Sequence, residues 1–190
     1  MYTTVPRIAR RKAVLATALG LSLTLAAWAP AGSATLCNIW GTNGDDEIVG
    51  TPGDDRICGL KGDDVIWGLG GHDIIYGDEG DDRIFAGKGR DFVRGGPGRD
   101  LIVGGQGIDT LIGDDGADDI RGGRGYDRLE GNQGMDVLRG GPGFDKLFGG
   151  RGNDRLLSRD GRMDLLFGGP GHDRAITDPE DRVKRVEKRR

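Results

Sequence analysis

The sequence predicts an all-β chain: a parallel β-roll, a right-handed β-solenoid with two nonapeptide repeats per coil and a short cap at each end. Three observations predict it. Residues 41–176 divide into fifteen consecutive units, fourteen of nine residues and one of ten at 158–167. The fourth position is Gly in every unit, from Gly44 to Gly171, and the eighth is aliphatic throughout, from Ile48 through Leu165 to Ala175. The sixth is Asp in fourteen units; in the ten-residue unit Met163 takes that place and Asp164 follows one later. A unit with one aliphatic residue cannot bury it alone, so stability must come from stacking.

At the N-terminus, Arg7, Arg10, Arg11 and Lys12 precede an apolar run from Ala13 to Ala29, and small residues follow to Ala34. This is the pattern of a secretory signal peptide over 1–34, cleaved after Ala34, with Ala31 as the alternative. The run is short for a spanning helix. The rest of the chain is therefore expected to be secreted, extracellular and free of the membrane. The full sequence has 27 basic and 31 acidic residues; without the four basic residues of the leader, 23 against 31 leave a net charge of −8.

Residues 35–40 read as an N-terminal cap, with Ile39 in the phase of the eighth position and Cys37 where an Asp would stand. Cys37 and Cys58 are the only cysteines. In an exported chain an even count points to one disulfide, here tying the cap to the second unit. Two free or metal-binding thiols are the alternative, although two cysteines without partner histidines make a poor zinc site. The two occupy different places in the repeat, so the cap is expected to shift register for them to meet.

Each unit of 41–176 reads as a Gly-rich loop followed by a short strand. Pro52, Pro97, Pro142 and Pro170 all fall at the third position, inside the loop, where no ladder N–H is lost. The last three positions carry β-branched, aliphatic or aromatic side chains, and alternation along a strand turns the eighth inward and the seventh and ninth outward. With two units per coil, unit n stacks on unit n+2 at about 4.8 Å. The sixth-position aspartates then form two columns of carboxylates that repel one another by about 1 kcal/mol per pair in water, and more when desolvated. Such columns need cations. Paired carboxylates with open loop carbonyls suit a hard ion taking six to eight oxygens, which favours Ca²⁺ over Zn²⁺ or Mg²⁺.

The unit resembles the nonapeptide G-G-x-G-x-D-x-U-x of the RTX, or haemolysin-type, calcium-binding repeat proteins. The resemblance implies several calcium ions held between stacked loops by sixth-position carboxylates and loop carbonyls. Carried over position by position, it implies Asp46, Asp55, Asp64, Asp73, Asp82, Asp91, Asp100, Asp109, Asp118, Asp127, Asp136, Asp145, Asp154 and Asp173 as ligands. Fifteen units allow at most thirteen n/n+2 pairs. The chain departs from the motif where Ala86 and Ser158 replace the first Gly, at several second positions (Thr42, Leu60, Leu69, Asp78, Asn132) and in the ten-residue unit. Folding on calcium binding is expected, since an acidic chain with its carboxylates in columns repels itself without metal. Many members of the family carry an export signal at the C-terminus; here the resemblance implies the fold and the metal, not a toxin's activity.

Two further expectations concern partners and chemistry. Val49, Trp67, Phe85 and Val103 hold the ninth position of alternate units and should stack as an apolar stripe on one outer face. That stripe is either a surface for a protein or cell-surface partner, as an adhesion or surface-matrix protein would need, or strand-forming residues shielded by neighbours such as Arg83. Basic residues interleave with aspartates in an acidic chain, which argues against nucleic-acid binding. After the leader the chain has one serine, Ser158, and two histidines, His72 and His172, eleven units apart. No catalytic triad can be assembled from these, and no enzyme activity is expected. Residues 177–190 leave the Gly pattern, echo it at Asp181-Arg182-Val183 and end in a basic tail. They read as a C-terminal cap.

Overall fold

The computed structural model describes residues 12–15, 37–186 and 188–189. All regular elements among them are strands, and they assemble into two parallel sheets of ten and nine strands. Odd-numbered units build one sheet and even-numbered units the other, so the chain passes from sheet to sheet every nine residues. This is a parallel β-roll.

Register follows the repeat. In the odd sheet Ile48 pairs with Ile66, Ile66 with Ile84 and Ile84 with Ile102. In the even sheet Ile57 pairs with Ile75, Ile75 with Val93 and Val93 with Leu111. Each eighth-position side chain thus sits on another eighteen residues away, and those from Ile48 to Leu156 are fully buried. The inward face also takes the sixth position and the first of the next unit, following the two-residue alternation of a strand. Every coil therefore buries a carboxylate beside its aliphatic residue.

The loops depend on left-handed backbone at the second position. From Leu60 to Gly150 all second positions of the nine-residue units have φ between 70° and 118°. Leu60, Leu69, Asp78, Asp114 and Asn132 are the non-glycine residues held there, a conformation that costs an L side chain about 1–2 kcal/mol. Thr42 and Thr51 are not among them.

Two sequence expectations change towards the ends of the roll. Ile39 pairs with Ile57 and Trp40 with Cys58, so the cap keeps register and no shift is needed for the Cys37–Cys58 disulfide, whose Cα atoms lie 6.1 Å apart. Cys37 precedes the strand Ile39–Trp40. In the ten-residue unit it is Leu166, not Leu165, that pairs with Leu147 and enters the core; the extra residue is absorbed in the loop before Asp164. Stacking also runs past residue 176, since Val183 pairs with Leu166 and packs, with Val186, against the core.

The leader read at 1–34 lies outside the described residues except for Lys12–Leu15. That strand pairs in parallel with Asp46–Val49, on an edge whose N–H and C=O groups would otherwise lack a neighbour.

Candidate metal centre

The fourteen aspartates picked out by the repeat all lie in the two columns, and each is at most 3 % exposed. Their backbone and side chains are linked by a ladder. From Asp46 to Asp154 the N–H of each aspartate donates to Oδ1 of the aspartate one coil on: Asp46 to Asp64 at 2.8 Å, Asp64 to Asp82 at 2.9 Å, Asp82 to Asp100 at 2.8 Å. The even column does the same, from Asp55 to Asp73 at 2.9 Å and Asp91 to Asp109 at 3.0 Å. One oxygen of each carboxylate from Asp64 onward is thereby fixed.

The other oxygen is a different matter. Along the interior of both columns, from Asp64 to Asp164, Oδ2 is buried and accepts no hydrogen bond. An uncompensated carboxylate oxygen in a closed interior is costly unless it meets a cation. Burial pushes the Asp82 carboxyl up to about 8, and those of Asp64, Asp73, Asp100 and Asp109 up to about 7. The N–H from the preceding coil partly opposes the rise, and neighbouring aspartates add to it.

The first-position glycines explain what stands next to Oδ2. A Cβ built on Gly104 would lie 2.6 Å from Asp109 Oδ2 and 2.7 Å from the Gly122 carbonyl oxygen; on Gly122 the corresponding distances to Asp127 Oδ2 and the Gly140 oxygen are both 2.6 Å. At the first-position glycines from Gly59 to Gly131, then, a donorless carboxylate oxygen and a carbonyl of the next coil converge on the place a Cβ would take. The carbonyl accepts one N–H from a second-position residue, as Gly140 does from Gly123 at 3.0 Å, and keeps a lone pair. Among the described residues no three His, Cys, Asp or Glu side chains gather on one point. A cation here must therefore combine carboxylate with backbone oxygen, the ligand mixture hard cations take.

Two residues outside the repeat-derived set complete the columns. Asp145 N–H donates to Asp164 Oδ1 at 2.7 Å, and Asp164 N–H to Asp181 Oδ1 at 2.9 Å. Asp164 thus fills the place assigned to Met163, and Asp181 begins a sixteenth partial unit. In both, an aliphatic residue follows the Asp by two, Leu166 and Val183; that local pairing, rather than counting in nines, was the signal for them.

The family model for the RTX calcium-binding nonapeptide repeat matches this chain in four copies, at residues 40–75, 59–93, 94–129 and 130–162. The chain belongs to the RTX calcium-binding repeat family. RTX repeats imply calcium as the ion, which fits the donorless oxygens and carbonyl lone pairs of the columns. Comparison with curated proteins found no match.

The stripe on the outer face of the RTX roll is in register, Val49 to Trp67 to Phe85 to Val103. Trp67 and Phe85 stack with ring centroids 6.2 Å apart. The four are half-buried by one another and by their neighbours. Among the described residues the large apolar side chains most open to solvent are elsewhere, on the loops, where Tyr126 is 61 % and Met135 63 % exposed.

Proposed function

We propose that this RTX-repeat protein is exported and works by binding several calcium ions along its two aspartate columns, folding as they bind. The observation that carries the reading is the unbroken row of buried Oδ2 atoms without donors, most of them beside a first-position glycine onto which a carbonyl of the next coil also converges. The interior aspartates would supply the carboxylate ligands, and the first-position carbonyls of the following coils the neutral ones. Calcium would contribute the positive charge that offsets stacked carboxylates. The chain's own part is to aim one oxygen of each carboxylate with an N–H, exclude side chains from the cradle, and seal it under the aliphatic core. Because the cradle exists only when coils stack, the free energy of binding becomes free energy of folding.

Binding rather than catalysis is supported by the side-chain inventory, since His72 and His172 lie far apart along the roll and Ser158 is occupied with Asp181 at 2.8 Å. Export is supported by the basic, apolar and small-residue order of 1–34 and by the even cysteine count closed as a disulfide. Extracellular calcium modules bind at about 10⁻⁴–10⁻³ M. Far-ultraviolet circular dichroism of the purified protein, first in chelator and then through that calcium range, tests the proposal. The expected result is a cooperative change from coil to β signal with magnesium inert. A β signal already complete in chelator and indifferent to calcium would defeat it.

A further inference from the structure

We infer that calcium loading stops short of both ends of the even column and of the first member of the odd column, because protein hydroxyl and amide groups take the cation's place there. The inference rests on the calcium reading above and goes beyond it by saying which repeat aspartates are not calcium ligands. In the even column both limits are visible. Asp55, the first member, has both carboxylate oxygens satisfied: Oδ1 accepts from Asn38 Nδ2 at 3.2 Å, and Oδ2 from the Thr51 N–H at 2.6 Å and Thr51 Oγ1 at 2.9 Å. Asp181, the last, is satisfied in the same way. Its Oδ1 accepts from the Asp164 N–H at 2.9 Å, and its Oδ2 from Ser158 Oγ at 2.8 Å and the Asp178 N–H at 2.7 Å. Between them Asp73, Asp91, Asp109, Asp127, Asp145 and Asp164 keep a buried Oδ2 with no donor. The odd column opens alike: Asp46 Oδ2 accepts from the Thr42 N–H at 2.5 Å and from Thr42 Oγ1 at 2.8 Å.

In the nine-residue units the second-position residue decides between the two states. Where that position is left-handed, its N–H reaches the first-position carbonyl of the next coil, as Gly123 reaches Gly140 and Gly150 reaches Gly168. The unit's own Oδ2 is then left for a cation. Threonine is β-branched and disfavours positive φ. At 42 and 51 its N–H instead turns onto the carboxylate of its own unit, and the hydroxyl adds a second bond. A calcium ion at Asp46 or Asp55 would have to displace both donors and leave them unpaired, which is a poor exchange. The first coil, closed also by the Cys37–Cys58 disulfide, is complete without metal. It is the seat on which calcium-loaded coils stack.

Counting bound calcium by native mass spectrometry of the full chain at saturating calcium, with circular dichroism to verify the fold, tests this. Asp109→Asn is expected to bind at least one ion fewer than wild type, and Asp55→Asn the same number. Thr51→Gly is expected to gain one ion, and Thr51→Ser, which keeps the hydroxyl, none. If Asp109→Asn does not fold, the comparison of Thr51→Gly with Thr51→Ser, which leaves the interior carboxylates untouched, decides alone. Equal effects of the inner and outer substitutions, whether loss in both or in neither, overturn the inference, as does a Thr51→Gly chain with the wild-type count. A wild-type chain that binds no calcium overturns the function proposed above as well, which separates the two failures.

Discussion

Glycine at the first position of a unit is kept small by its neighbours rather than by its backbone angles. Gly104 has no left-handed φ, yet a Cβ there would enter the space between Asp109 Oδ2 and the Gly122 carbonyl. Gly104→Ala should therefore force the Asp109 carboxylate and the Gly122 carbonyl apart and weaken calcium there by about tenfold or more, each tenfold being about 1.4 kcal/mol; isothermal titration in calcium measures it, with circular dichroism to verify the fold. Ala86 already places a methyl at the first position of the unit that holds Asp91, whose Oδ2 is buried and donorless. Ala86→Gly should accordingly tighten binding, and an unchanged titration would count against the cradle. The second position is governed by backbone instead. Leu69 is held at φ 79° and is 48 % exposed, so Leu69→Gly relieves strain with little loss of packing. The calcium-loaded chain should melt later, by up to about 1 kcal/mol after glycine's own entropy cost.

At the scale of the strand and coil, the core is one column of aliphatic side chains per sheet, without a second layer to compensate for a loss. Ile102 is fully buried and in register with Ile84 and Ile120. Ile102→Ala should cost about 2–5 kcal/mol, seen as a lower melting temperature in saturating calcium; a shift under 1 °C would mean the coils relax around the gap. This scale was largely legible in the sequence, because the eighth-position aliphatics and sixth-position aspartates share a nine-residue period that only stacking explains. Counting in nines failed where the chain adds a residue: it put Leu165 and Met163 in the places that Leu166 and Asp164 occupy. The pairing of Asp with an aliphatic residue two later outweighs the length of the loop before it, since both side chains must face inward from one strand. The end closures by Asn38, Thr42, Thr51 and Ser158 were not legible, for they depend on where an N–H points, which follows from φ at a single residue.

For the whole molecule the governing quantity is the charge held in two interior columns. The interior carboxyls are raised by burial from their ordinary 3.8 to about 6–8 in the metal-free roll. Between about pH 4 and pH 7 the folded, metal-free chain then holds protons that the unfolded chain has released, so its stability rises as pH falls through that window and is lost as pH rises through it. In chelator, the β signal should be stronger at about pH 5 than at about pH 8. Calcium must displace those protons, so its half-saturation point should move to higher concentration at the lower pH. Circular dichroism at the two values checks both, and identical chelator spectra would remove the coupling between burial and charge.

The aspartate ladder also has a sense of direction. In every rung the amide belongs to the earlier coil and the carboxylate to the later one, from Asp46 and Asp64 through to Asp164 and Asp181. A polypeptide emerges amino end first. Each new carboxylate therefore arrives at a donor already waiting, and no finished coil depends for its orientation on residues still to come. The roll can be laid down one turn at a time, as a rope is coiled, with the growing edge always the only unfinished one.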